Sequence, residues 1–154
     1  MSSKSLEEYL KRMNVKARFF KFKKHTMTVD AAASLLGVNR EKIIKSILFI
    51  NDAGLPIIGI VTGDKRVSEK KLSMVSGSKK IRKADSVEVK KLTGYDVGAV
   101  PPVGHKRQIK TFIDEKVMSL DKVVGGGGEV NTLLEINPDE IKRLTNGEVK
   151  DISE

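Results

Sequence analysis

One cation, Lys45, interrupts the apolar run "EKIIKSILFI" (residues 41–50). As a strand, this run sets Ile43, Lys45, Ile47 and Phe49 on one face and Ile44, Ser46, Leu48 and Ile50 on the other. Both faces look buried. An ammonium stripped of water has a depressed pKa. In that state a lysine can act as proton carrier, nucleophile or short-range positive donor. The plainer alternative is an edge lysine whose stem packs while its head reaches water. A second stretch, "GAVPPVGH" (98–105), combines Gly98 and Gly104 with the stiff pair Pro101 and Pro102 and ends on His105. A rigid loop of this kind offers preformed amide donors to a carbonyl or an oxyanion; alternatively it is a connector. A third, "VVGGGG" (123–128), lacks the GxxxxGK[ST] spacing, and Val130 stands where GxGxxG needs its third glycine. Gly126 and Gly127 would instead let a substrate, or another backbone, come close.

The remaining chemistry-bearing types are sparse. His25 and His105 are the only imidazoles, and cysteine is absent. That excludes disulfides, thiolate nucleophiles and cysteine metal ligands together. Two imidazoles alone do not compose a zinc site; carboxylates would have to complete it. Taken alone, each histidine fits a structural or surface role better than a catalytic one, and His105 gains weight from closing the glycine–proline loop. No Ser–His–Asp arrangement or paired-carboxylate pattern is present. Neither a metal nor a cofactor is expected.

The elements that must hold these residues follow from spacing. "SLEEYLKRMN" has Leu6, Tyr9, Leu10 and Met13 on one helical face, with Ser5 as expected cap and Glu8 completing a capping box. "VKARFFKFKK" predicts an edge strand with its lysines outward. "TVDAAASLLG" predicts a helix from Thr28 to Gly37. The two apolar runs around "NDAG" predict a hairpin, with Pro56 at a strand start or edge. A third helix is expected between Ser68 and Gly77, a short strand at "KKIRKA" and a short helix ending at Gly94. The stretch "KTFIDEKVMSLDKVVGGGG" predicts one or two short strands. "NPDEIKRLTNG" carries strong helix-start signals, with Asn137 as cap, Pro138 at the first position and Gly147 as stop. "EVKDI" could add a last strand. Interleaved helices and hairpin strands predict an α/β chain of the α+β type, with a mixed sheet and helices packed on it, in one domain over 1–154.

The chain has 154 residues and carries a net charge of +9, from 29 Lys plus Arg against 20 Asp plus Glu. The excess favours an anionic partner, nucleic acid first; a lysine- and glutamate-rich surface that serves solubility is the alternative. Basic clusters stand at "KARFFKFKK", "KKIRK" and "HKRQIK". No apolar stretch approaches the roughly 18 residues of a membrane span, and the polar N-terminus is unlike a signal peptide. A soluble, cytoplasmic chain is expected. A monomer is expected too, for lack of a coiled-coil or interface pattern.

Taken in order, the pieces resemble the YbaK / prolyl-tRNA-synthetase-associated domain family of editing deacylases. The resemblance covers roughly residues 25–145 and rests on five stretches: "TVDAAASLLGV", "IIKSILF", "TGDKRVSEKKL", "LTGYDVGAVPPVG" and the "GGGG" run before the terminal helix. The family's invariant lysine falls on Lys45. Ser46 stands where many members have threonine, and Pro101 precedes the usual proline, here Pro102. The resemblance implies a mixed, barrel-like sheet surrounded by helices. It implies hydrolysis of the ester that joins a wrong amino acid to the 3′ end of a tRNA, most readily tRNA(Pro) carrying Ala or Cys. Lys45 is then the catalytic residue. Ser46, Gly98, Pro101, Pro102, Gly104, His105, Gly126, Gly127 and His25 bind substrate. Partners are the aminoacyl-tRNA 3′ end and a prolyl-tRNA synthetase. A module of the same fold that binds tRNA or a synthetase without hydrolysis is the alternative.

Overall fold

A computed structural model describes residues 1–154. Six helices and eight strands follow in the order α1 (Ser3–Arg12), β1 (Arg18–Lys21), α2 (Val29–Leu36), β2 (Ile44–Asn51), β3 (Pro56–Thr62), α3 (Glu69–Ser76), β4 (Ile81–Lys83), α4 (Ser86–Thr93), β5 (Lys110–Asp114), α5 (Glu115–Met118), β6 (Val123–Gly126), β7 (Thr132–Ile136), α6 (Pro138–Thr145) and β8 (Glu148–Lys150). A 3₁₀ turn, Arg40–Lys42, leads into β2.

The helices begin where side chains satisfy free helical amides. Thr28 accepts from the Ala31 amide, and Ser68 from that of Lys71. Asp85 and Glu88 form a reciprocal capping box on α4. Asn137 accepts from the Asp139 amide ahead of Pro138. Three local expectations need correction. The cap of α1 is Ser2, with Ser5 three positions on as its reciprocal partner, so no box forms between Ser5 and Glu8. The terminal helix closes on Asn146, left-handed at φ 53°, one residue before Gly147. The 110–128 stretch holds the one-turn helix α5 between its two strands, started by Asp114, whose carboxylate accepts from the Lys116 amide.

The strands form two sheets and not one closed barrel. Five strands run in the order β4-β2-β3-β5-β8 and three in the order β1-β7-β6. The larger sheet is mixed: β2 is antiparallel to β3 and β4, whereas β3–β5 and β5–β8 are parallel. The sheets meet at a single bridge between Ile43 and Val124. β1 is an edge strand, as expected, with Arg18 and Lys21 exposed.

The largest core cluster packs Ile44, Leu48, Ile58 and Ile60 against Leu6 and Leu10 of α1, Val123, Leu134, Ile136 and Ile141 of α6. On the opposite face of the five-stranded sheet, Phe49, Ile57, Val61 and Phe112 pack with Leu72 of α3 and Ile152. Burial on both faces makes β2 apolar almost throughout. Residues directly opposite in an antiparallel pair alternate between hydrogen-bonded and non-bonded. The Asn51 amide donates to Leu55 O at 2.9 Å, and Gly63 N–H donates to Ile43 O. Odd-numbered residues of β2 therefore bond to β3, and even-numbered ones turn their N–H and C=O to the other edge. Ile50, an even residue, stands opposite Pro56, so the missing proline donor costs no ladder bond.

Candidate active site

On its outer edge β2 is covered only in part. β4 pairs with Phe49, Ile50 and Asn51, and the Ala84 amide donates to Leu48 O at 2.9 Å. At the other end Ile43 bridges Val124. Between them no strand pairs with this edge, and a cavity of about 390 Å³ opens there. Ile43–Leu48 form one wall, Gly125 and Gly126 of β6 another, and Lys83, Ala84 and Val89 a third; Val97, Gly98 and Val100 come from the glycine–proline loop, and Thr26–Val29 with Ala32 from α2 and its entry. The lining is mainly apolar, with Lys45 and Lys83 its only charged residues and no carboxylate or imidazole.

Lys45 is half-buried, and its Nζ donates to the carbonyl of Lys65 in the loop after β3. An ammonium has three donors, so two are left for a ligand. Its pKa lies below the usual lysine value, chiefly because burial strips its hydration, and further because Arg40, Lys83 and Arg66 repel a fourth positive charge; Asp64 opposes them. Asp64 is itself fixed by Lys116, whose Nζ lies 2.9 Å from the carboxylate. That hydrogen bond is the main reason its pKa falls to about 2. The loop that receives Lys45 is thus tethered to α5.

The glycine–proline loop is held from several sides. Thr93, fully buried, donates from Oγ1 to Val89 O at 2.7 Å and accepts from the Tyr95 amide at 3.1 Å. The Gly128 amide donates to Ala99 O at 3.0 Å. His105 Nε2 lies 2.7 Å from Pro101 O, and burial lowers its pKa. Gly98 takes φ +86°, a conformation open mainly to glycine, with Met27 packed over it. At Gly126 a β-carbon would stand 2.4 Å from Val100 O. The bare backbone of β6 therefore admits the backbone of the loop.

Of the residues singled out by sequence, Lys45, Ser46, Gly98 and Gly126 line one cavity. Pro101, Pro102, Gly104, His105, Gly127 and His25 lie outside its lining. Pro102 backs Gly125, Gly104 packs on Leu6 and Tyr9 of α1, and Gly127 packs on Thr132 and donates its amide to Thr132 O. His25 is exposed beside Thr26, which is tied to Val130 O through both its amide and its hydroxyl. Sequence reasoning missed the wall 26–29. Its only local signal is Thr28, recognised as a helix cap. Lys83 belongs to the noted "KKIRK" cluster, but nothing in the sequence sets it beside Lys45.

Comparison with known proteins gives a consistent picture. The family model for the aminoacyl-tRNA editing domain matches residues 23–144. A relative from Enterococcus faecalis, whose name, still provisional, is Cys-tRNA(Pro)/Cys-tRNA(Cys) deacylase EbsC, is 25% identical over 134 residues, 87% of this chain and 82% of that protein. A proline–tRNA ligase of Lactobacillus helveticus is 36% identical over 104 residues, 68% of this chain but 18% of the ligase. A crystal structure of a hypothetical protein superposes with a TM-score of 0.91 at 38% identity, covering 97% of this chain and 99% of that one.

Proposed function

The chain belongs to the aminoacyl-tRNA editing domain family, and on that premise we propose that it hydrolyses, in trans, the ester of mischarged aminoacyl-tRNA, with tRNA(Pro) carrying Ala or Cys as the first substrates. The observation that carries this reading is the desolvated Lys45 in an apolar cavity beside the Gly98 loop. Editing is needed where a synthetase pocket poorly rejects small or near-isosteric amino acids.

The ester is activated, so positioning, a few donors and water suffice. Water adds to the ester carbonyl, the C–O bond to the ribose breaks, and the products are a free amino acid and the tRNA hydroxyl. Lys45 stabilises the negative charge that develops, or binds the terminal phosphate or ribose. Amides of 98–104 hold the aminoacyl group, and Pro101, Pro102, Gly104 and His105 keep that loop rigid. Ser46, Gly126 and Gly127 border the bound 3′ end, with His25 at the entry. With no carboxylate or imidazole in the lining, the water proton passes to the ribose hydroxyl or another substrate group. Arg40, Arg66 and Lys83 draw the tRNA backbone, a contribution that weakens with salt. A partnership with prolyl-tRNA synthetase is part of the same proposal.

The same lack of a protein base favours a second reading, a module that binds tRNA without hydrolysis. Incubation with tRNA charged with Ala, Cys or Ser, followed by release of free amino acid, separates the two. Lys45→Ala should lower deacylation by roughly 10²–10³-fold, the loss typical of a removed oxyanion donor, with an unchanged circular dichroism spectrum. A folded Lys45→Ala protein as active as wild type would remove Lys45 from the mechanism.

A further inference from the structure

The uncovered part of β2 is one residue long. Even-numbered residues turn their backbone groups to the outer edge, as the Ala84 amide bonded to Leu48 O shows. Leu48 is therefore used, and Ile44 adjoins the Ile43–Val124 bridge. Ser46 faces the cavity with no ladder or bridge partner on this edge. No strand lies opposite it on this edge, and neither its N–H nor its C=O joins any hydrogen bond to a turn, loop or side chain.

This vacancy has a defined chemical complement. In a hydrogen-bonded antiparallel pair, two facing residues exchange both N–H···O=C bonds at a Cα–Cα separation of about 5.5 Å. The ligand that completes such a pair is one amino-acid unit with its own nitrogen and its own carbonyl. An aminoacyl ester is such a unit. The cavity contains no carboxylate to receive an α-ammonium, so a backbone carbonyl is the acceptor on offer there.

We propose that the free edge at Ser46 recognises the aminoacyl group as a one-residue antiparallel strand, the Ser46 N–H donating to the ester carbonyl and the Ser46 C=O accepting from the α-ammonium. The proposal deepens the deacylase reading and rests on it. Two consequences follow. Side chains of facing residues lie on the same face of a sheet, so an L-amino acid directs its side chain to the face of Ile44, Ser46 and Leu48. That side is walled by Val89 and Val100. A D-amino acid would turn its side chain to the face of Lys45. The Ser46 amide also polarises the carbonyl that water attacks, and its hydroxyl stands beside the substrate side chain.

The test uses the full chain and non-hydrolysable amide analogues. These are 3′-(L-alanylamino)-3′-deoxyadenosine, its D-alanyl and propionyl counterparts, and 3′-amino-3′-deoxyadenosine without an acyl group. The L-alanyl compound should bind at least tenfold more tightly than the D-alanyl or propionyl compound, and it should shift the Ser46 amide resonance and slow its hydrogen exchange. Ser46→Pro removes the donor without breaking a bond to β3. It should lose at least tenfold in L-alanyl affinity, and at least tenfold more than it loses for the unacylated compound. Equal affinity for the L, D and propionyl compounds with an unmoved Ser46 amide would overturn the proposal, as would a folded Ser46→Pro protein that binds like wild type. If Ser46→Pro does not fold, the wild-type amide measurements decide. Analogue binding requires no turnover, so failure to hydrolyse any charged tRNA defeats the deacylase reading separately.

Discussion

Replacing Gly126 by alanine distinguishes two uses of a glycine in this cavity. If it only lets substrate approach, a methyl group there raises KM and leaves stability alone. The structure argues for a larger effect. The new β-carbon would stand 2.4 Å from Val100 O, 2.9 Å from Val100 C and 3.0 Å from Ala99 C. All three are backbone atoms, and ordinary carbon contacts need about 3.5 Å or more, so the 97–100 segment must retreat by about 1 Å. Overpacking of this kind costs about 1–3 kcal/mol. In a domain of this size each kcal/mol lowers Tm by roughly 2–4 °C, which gives an expected drop of about 2–12 °C. The same segment carries Gly98 and Val100 of the cavity wall. A misplacement of about 1 Å in a catalytic constellation can cost about 10²-fold in rate, or about 2.7 kcal/mol of barrier. Thermal melts and single-turnover deacylation of charged tRNA(Pro) read the two effects separately. A Gly126→Ala protein with wild-type Tm and a changed KM would refute the packing argument; one unchanged in both would refute any role for the close approach.

Two further substitutions test the loop's anchors. Burial holds the His105 imidazole below its usual pKa of 6.5. Above about pH 6.5 the ring is neutral folded and unfolded; as pH falls further the unfolded chain takes the proton first, so stability drops toward the lower folded pKa. The carboxylates of Asp64 and Glu88, both held at about 2, respond in a more acidic window. Urea midpoints between pH 7.5 and 5 should therefore fall less in His105→Gln than in wild type, and parallel slopes would remove His105 as the cause. Thr93→Val keeps the shape of a buried side chain but leaves the Tyr95 amide without its acceptor. It should cost about 1–3 kcal/mol in urea unfolding; a neutral result would show that the hydroxyl does not hold the loop.

The elements most legible in the sequence carry a chemical marker at an end. Thr28, Ser68, Asp85 and Asn137 each satisfy free amides, and each starts a helix where its type predicts. Pro56 and the "NDAG" turn marked the β2–β3 hairpin for the same reason. What was missed lacks such punctuation or offers two candidates. Ser2 and Ser5 are both competent caps, and the structure uses the earlier one, where the buried Ser3 that follows bonds Glu129. The strand "TLLEI" has no turn residue dividing it from the helix signals that follow, and it is defined by pairing to β1 and β6, far away in sequence. The barrel-like sheet implied by resemblance is two sheets because pairing between β2 and β6 ends after one bridge.

That interruption also explains why the cavity was only half legible. A lysine inside an apolar run and a glycine–proline loop are local anomalies, visible residue by residue. The space between them is not. It exists because β4 reaches only as far as Phe49 on one side and β6 leaves β2 after Ile43 on the other. Whether Ser46 faces that space depends on register, and register alternates with every residue. A shift of one position would turn Lys45 N–H and C=O to the open edge and place the Ser46 side chain on the face of Val61 and Leu72. Ile50 opposite Pro56, and Asn51 closing the turn to Leu55, exclude that shift. The hairpin turn, distant from the cavity along the strand, thereby selects which peptide group faces the cavity. A one-residue insertion between Leu48 and Asn51 should abolish deacylation even where β2 and β3 still pair, because it moves Ile47 into the place of Ser46 on the open edge.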